Sequence, residues 1–328
     1  MSALAPVLEG FFTERLMAKR ASPATICCYR DTFYLLVGFA SARAGKTPSG
    51  LDMADLGPEV VVAFLDHLER ERSNSVATRN LRLAAVHSLF SYAALRCPEH
   101  AGMVARVLAI PRKRPDQRLV SFLTRAESQA LLGAPDRSSW AGRRDYALLA
   151  LAIQAGLRVS ELTGLTRGDL ELSAGANVHC AGKGRRERRT PLTTGTVRVL
   201  RAWLAERPGP ASAPLFPTRF GGRLSTDAVA DLLAKHVSVA VRSCPSLGEK
   251  RVSPHTLRHT CAMELLQAGV DPTTIALWLG HASPRSTQPY LHADLATKER
   301  ALALVAPIEV GTKRFRPPDP LLAFLKAL

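Results

Sequence analysis

The chain has 328 residues, with 44 Lys or Arg against 28 Asp or Glu, a formal charge of +16, and 46% apolar residues. At roughly 100 to 200 residues per domain, that length predicts two domains, each able to bury a core without staples, so small-scaffold readings are excluded. The densest apolar run, residues 146–153, is far short of the ~20 residues of a membrane span, and Glu9 and Glu14 stand where a signal peptide is apolar, so a cytoplasmic protein with no membrane partner is expected.

Residues 1 to about 108 read as helices only. Apolar positions recur at helical spacing over 5–17, 26–40, 60–68 and 76–95, and Pro23, Pro58 and Ser75 stand where helices start. Residues 111–119 combine two prolines with four basic residues and no apolar periodicity, which predicts an extended basic linker. Beyond it, Thr124-Arg125-Ala126-Glu127 is a capping box that opens a helix. A helix over 140–154 ends at Gly156. Two short strands, 178–181 and 188–192, flank the turn Gly182-Lys183-Gly184-Arg185. Ser253-Pro254 and Asp271-Pro272 each pair an N-cap with proline at the first helical position. Past residue 318, Asp319-Pro320 opens an amphipathic tail helix.

Charge is uneven along this plan. Up to Gln117 there are 15 basic and 11 acidic residues, a balance of +4; the remainder carries 29 and 17, a balance of +12. A basic field of that size predicts a polyanion partner, because neutralising phosphates releases condensed counterions. The six cysteines (Cys27, Cys28, Cys97, Cys180, Cys244 and Cys261) form no C-x-x-C pair, which predicts reduced structural thiols rather than a zinc site.

Four stretches carry candidate chemistry. In Gly156-Leu157-Arg158-Val159-Ser160-Glu161, arginine and glutamate three residues apart share a helix face, so the carboxylate orients a guanidinium that binds phosphate. His255 and Arg258 share a face in the same way within His255-Thr256-Leu257-Arg258-His259, placing an imidazole beside an anion-binding fork. H-x-x-R also occurs at His67 to Arg70, where it reads as a solvated helix face, so the pattern is not specific by itself. Lys183, Arg185, Arg186, Arg188 and Arg189 crowd five cations around one turn, which favours an anionic partner over a bare surface. Leu279-Gly280-His281 is followed by Tyr290, which stands in a polar segment where burial explains it poorly, unlike Tyr29, Tyr34, Tyr92 and Tyr146 in apolar helical stretches.

In this order the set resembles the tyrosine recombinase (phage integrase-like) family over about residues 123–290. The resemblance implies a mainly α fold with a small antiparallel sheet. It implies a SAM-like core-binding domain at 1–110 and an α+β catalytic domain at 120–328, whose tail often docks on a neighbouring protomer. It implies Arg158 and Arg258 as catalytic arginines, Lys183 as the hairpin lysine, His255 and His281 as the two histidine positions, Glu161 as the acidic supporting residue, and Tyr290 as nucleophile. The activity implied is site-specific cutting and rejoining of double-stranded DNA through a 3′-phosphotyrosyl link, by a homotetramer on two sites, without metal or ATP. Arg185, Arg186, Arg188 and Arg189 are expected to hold DNA, as are Arg79 and Arg82 of the first domain. Pro289 is unusual beside a nucleophile, because it stiffens the backbone at Tyr290. A type IB topoisomerase, or a non-catalytic DNA-binding descendant, is the alternative.

Overall fold

The computed structural model describes residues 3–114, 120–181, 187–280, 290 and 324–325. The chain divides into two compact units, Met1–Gln117 and Arg118–Leu328. No helix among the described residues is long and apolar enough to cross a membrane, and all six cysteines are free thiols.

The first unit is built from α1 (Leu4–Gly10), α2 (Pro23–Ala44), α3 (Pro58–Arg70), α4 (Val76–Ala93) and α5 (Ala101–Leu108). Local chemistry sets the ends. Ser22 accepts from the Thr25 amide at the start of α2, Ser75 accepts from the Thr78 amide at the start of α4, and Gly45 closes α2 at φ +64°. The single helix expected over 5–17 is interrupted: α1 runs into a π-helical stretch, Phe11–Leu16. The wider turn brings residues five apart onto one face, which buries both Phe11 and Leu16, at 0% and 3% exposure. Phe11 then meets Phe33 and Tyr92 edge-on, at 5.5 and 5.8 Å between ring centres.

The second unit surrounds α7 (Trp140–Ala155), which packs against α6 (Arg125–Gly133), α9 (Thr194–Glu206) and α11 (Pro254–Gln267). Short α8 (Val159–Gly164) follows α7, while α10 (Thr226–Ala240) and α12 (Pro272–Leu279) lie on either side of α11 in the chain. Three antiparallel strands form one sheet in the order β1 (Leu170–Glu171), β2 (Asn177–Ala181), β3 (Glu187–Pro191), with Val178 opposite Thr190 and Cys180 opposite Arg188. β2 and β3 lie where two strands are expected. β1, two residues long, shows no alternation to read. Inside this unit Asp145 and His236 are both buried and lie 2.8 Å apart, tying α7 to α10.

Glu127 ties α6 to the segment that leads into α11. Its carboxylate is buried and accepts from Lys250 Nζ at 2.6 Å, Ser246 Oγ at 2.7 Å and the Thr124 amide at 2.8 Å. Burial pushes the carboxyl up, but these donors outweigh it and hold the pKa down to about 2, from an ordinary 4.5. The unfolded chain therefore binds the extra proton first as pH falls. The stabilisation is whole above about pH 4.5 and is lost as the pH drops towards about 2. It amounts to roughly 3 kcal/mol, because each tenfold difference in proton affinity between the folded and unfolded chain is worth about 1.4 kcal/mol. Glu127→Gln is expected to be less stable at neutral pH and to lose less further stability on acidification, as read from urea midpoints. An acid slope identical to wild type contradicts the ion-pair account.

Candidate active site

Two turns of the second unit, helix α11 and strand β3 bring cationic side chains to one site. Gly156 ends α7 at φ +62°, in the left-handed region that favours glycine, and a side chain there would meet Leu279 Cδ2 at 2.6 Å. The chain then places Arg158 as the residue capping α8. The Arg158 amide donates to Glu161 Oε2 at 2.9 Å, its Nη1 donates to Oε1 at 2.7 Å, and its Nη2 donates to the Gly280 carbonyl at 2.9 Å. The i to i+3 pairing read from the sequence is thus a brace between a half-buried arginine and a buried carboxylate.

Arg258 enters the same pocket from α11 and is 2% exposed. Its Nη1 donates to the Gly156 carbonyl and its Nη2 to the Leu279 carbonyl, both at 2.7 Å. Burial lowers its pKa to about 10, with the nearby Arg158 charge acting in the same direction. It remains a cation at neutral pH. Arg158, Arg188 and Arg258 together face the single carboxylate of Glu161, a local balance of 3 − 1 = +2. A buried cluster with that surplus is matched by an incoming anion such as a phosphate.

Arg188 departs from its expected place among the DNA-holding arginines. Its Nη1 and Nη2 donate to both oxygens of Glu161, at 3.0 and 2.8 Å, and the side chain is 11% exposed. Alternation along β3 explains the difference: Arg188 and Thr190 point inward, while Glu187, Arg189 and Pro191 point out. Burial pushes the Glu161 carboxyl up, but hydrogen bonds from Arg188 and Arg158 override it and bring the pKa to about 2. Glu161 therefore stays ionised throughout the neutral range.

Removing Arg188 takes two donors from a buried carboxylate that keeps Arg158 as its ion-pair partner, a loss of about 1.5 to 3 kcal/mol, the range for a hydrogen bond to a charged group. Arg188→Ala is expected to lower the urea midpoint markedly. It should leave the salt dependence of DNA affinity unchanged, whereas a lost phosphate contact would reduce that slope by about 0.9. A normal midpoint with a reduced slope would return Arg188 to the DNA surface.

His255 stands at the exposed rim of the pocket, with its pKa lowered by partial desolvation and then by the Arg258 and Arg158 charges. Tyr290 corrects a further expectation: it is 3% exposed, packed with Cys261, Met263 and Leu279. Its hydroxyl lies 2.9 Å from His259 Nδ1. Burial raises the phenol pKa, and the Arg258 charge draws it back. The polar neighbours in sequence concealed that burial. His259 was not among the site residues expected from sequence; its signal was the i to i+4 spacing from His255, which stacks the two rings edge-on at 4.4 Å.

Lys183, Arg185, Arg186 and His281 lie outside the described residues, as do Pro289 and most of the tail helix. Arg189 is exposed on β3. In the first unit Arg79, expected to hold DNA, is 5% exposed and its Nη1 donates to the Pro111 carbonyl at 3.1 Å, while Arg82 is half-buried with Nη1 at 3.5 Å from Thr32 Oγ1. Among the described residues, no group of three or more His, Cys, Asp or Glu side chains is placed to hold a metal ion.

The sequence pattern of the Phage integrase family matches residues 121–296, and that of the Phage integrase N-terminal SAM-like domain matches residues 9–96. The putative integrase/recombinase y4rC of Sinorhizobium fredii is 54% identical over 328 residues, covering 100% of this chain and 99% of its own. The tyrosine recombinase XerC of Pelobacter propionicus is 34% identical over 294 residues, covering 88% and 92%. Among solved structures, the Tn1549 transposon integrase in complex with a circular intermediate DNA has a TM-score of 0.69 at 16% identity, covering 90% of this chain and 98% of its own. The XerH recombinase bound to its palindromic difH substrate, a post-cleavage complex, has a TM-score of 0.66 at 22% identity, covering 88% and 81%. At these identities the structural likeness is one of fold.

Proposed function

We propose, from the premise that this chain belongs to the phage integrase family of tyrosine recombinases, that it recombines double-stranded DNA at specific sites through a 3′-phosphotyrosyl intermediate on Tyr290. The observation that carries this reading is a cluster of two arginine forks braced on backbone carbonyls and Glu161, with the Tyr290 phenol held 2.9 Å from His259, the residue next to Arg258 on α11. A phenol with an ordinary pKa of about 10 is a poor nucleophile at neutral pH unless positive charge and a base favour its ionised form.

In this reading Arg158 and Arg258 bind the non-bridging oxygens and hold the charge that grows on them in the transition state. Tyr290 attacks phosphorus and the 5′-oxygen leaves with a proton from Lys183. His255 assists proton transfer and His281 hydrogen-bonds the phosphate. Glu161, held by Arg188, keeps Arg158 in position. The fixed guanidinium charges take the part that a metal plays in other phosphoryl transfers, and the ester formed has an energy close to that of the ester broken, so rejoining needs no ATP. Arg185, Arg186 and Arg189 remain the hairpin's contacts to DNA backbone.

Strand exchange between two duplexes requires four such pockets, hence a homotetramer on two sites. Phe324 and Leu325, 59% and 55% exposed, fit a tail that docks on a neighbouring protomer. The reading is tested by mixing plasmids that carry the DNA recovered with the trapped protein, in the presence of EDTA. Joint products that require two sites are expected. Relaxation of plasmid lacking any site would assign a type IB topoisomerase instead, and binding without strand cleavage would leave a non-catalytic protein.

A further inference from the structure

We propose that His259 is the general base that accepts the phenolic proton of Tyr290, and so a catalytic residue distinct from His255; the proposal rests on Tyr290 being the nucleophile. A base has to lie within about 2.6 to 3.2 Å of the oxygen that it deprotonates. His259 Nδ1 lies 2.9 Å from the Tyr290 oxygen. The two rings meet edge-on, 5.4 Å between centres and 64° apart, so the contact is a packed arrangement rather than a passing approach. Tyr290 is buried and His259 half-buried, which keeps bulk water from replacing either partner.

Position on α11 divides the labour between the two imidazoles. His255, Arg258 and His259 lie within five consecutive residues of α11. His255 stands at the rim, where the Arg258 and Arg158 charges act on it, on the side that a phosphate would enter. His259, one turn further on, stacks against His255 at 4.4 Å and turns its Nδ1 to the phenol. One imidazole therefore serves the phosphate side and the other serves the nucleophile.

With the ring proton on Nε2, His259 Nδ1 accepts the Tyr290 hydroxyl proton as the phenolic oxygen bonds to phosphorus and the bond from phosphorus to the 5′-oxygen breaks. The departing oxygen takes its proton from Lys183. On rejoining, the 5′-hydroxyl attacks phosphorus, the bond to tyrosine breaks, and the His259 imidazolium returns its proton to the phenolic oxygen. Base in one direction and acid in the other, the same atom serves both.

The test uses the full chain and nicked duplexes whose scissile phosphate carries either the natural 5′-oxygen or a bridging 5′-sulfur, a leaving group that needs no proton. His259→Asn retains a hydrogen-bond acceptor near the Nδ1 position but takes up no proton at neutral pH. It is expected to slow adduct formation by about 10²-fold or more on both substrates, the ordinary range for a lost general base. His259→Ala should be slowed equally and partly restored by added imidazole, with DNA affinity unchanged. A wild-type rate in His259→Asn overturns the proposal. So does slow cleavage of the oxygen substrate with normal cleavage of the sulfur substrate, which would make His259 the leaving-group acid. Should His259→Asn fail to fold, His259→Gln and the imidazole series on His259→Ala decide by the same criteria, and absence of rescue in a folded His259→Ala counts against the proposal. A Tyr290→Phe control that still formed adduct would refute the nucleophile itself, a failure distinct from that of the base.

Discussion

Tyr290→Phe is expected to bind DNA as tightly as the wild-type chain and to form no covalent protein–DNA adduct on a nicked substrate. The change removes one oxygen atom and leaves the ring in its pocket against Cys261, Met263 and Leu279. That oxygen is hydrogen-bonded to His259, and losing the bond costs about 1 kcal/mol of stability. The loss to chemistry is complete, because the nucleophile is gone. Gel shift measures affinity and denaturing electrophoresis measures the adduct. Reduced affinity in step with reduced cleavage would point instead to a tyrosine that only supports the fold.

Arg258→Ala carries the next largest effect. Losing one preorganised donor to a developing oxyanion costs about 3 to 4 kcal/mol, a cleavage rate lower by about 10² to 10³. Because Arg258 is buried and satisfies the carbonyls of Gly156 and Leu279, the substitution also leaves two acceptors without that partner, adding a stability loss of about 1 to 3 kcal/mol for each group left unsatisfied. Arg258→Lys separates the two costs. It retains a cation but loses the fork that reaches both carbonyls, so it is expected to cleave nearly as slowly as the alanine variant while recovering part of the stability. Single-turnover cleavage rates and urea midpoints give both numbers, and near-normal cleavage in either variant contradicts the role assigned to the fork.

What could be read from sequence was local. Ser22-Pro23, Ser253-Pro254 and Asp271-Pro272 mark helix starts because the cap and its partner amide lie within three residues of each other. Gly156 marks the end of α7 because glycine takes the left-handed φ of +62° that closes the helix. Arg158, Glu161, His255 and Arg258 are legible because each pair stands three residues apart within an ordered set that resembles one family, the spacing alone not being specific.

What escaped depended on distant partners or on period. The cluster from Lys183 to Arg189 looks like one basic surface when counted as charge, yet the two-residue period of β3 turns Arg188 into the pocket and Arg189 out of it. Arg79 likewise reads as a surface cation until α4 is set beside the Pro111 carbonyl, 32 residues on. Tyr290 sits among polar neighbours in sequence, so its burial follows only from the apolar wall that α11 and α12 build around it. The π-helical stretch at Phe11–Leu16 is invisible to a search for a period of 3.6, because it is the widened turn that buries both ends.

The central claim is that one phenolic oxygen exchanges places with a sugar oxygen on phosphorus inside a fixed arginine pocket. Its most direct test is to trap the covalent adduct on a nicked duplex, digest both protein and DNA, and identify the joined residue by mass spectrometry. The account predicts a single peptide carrying Tyr290 esterified to a 3′-phosphate. Attachment through any other residue, attachment to a 5′-phosphate, or cleavage without an adduct would contradict it.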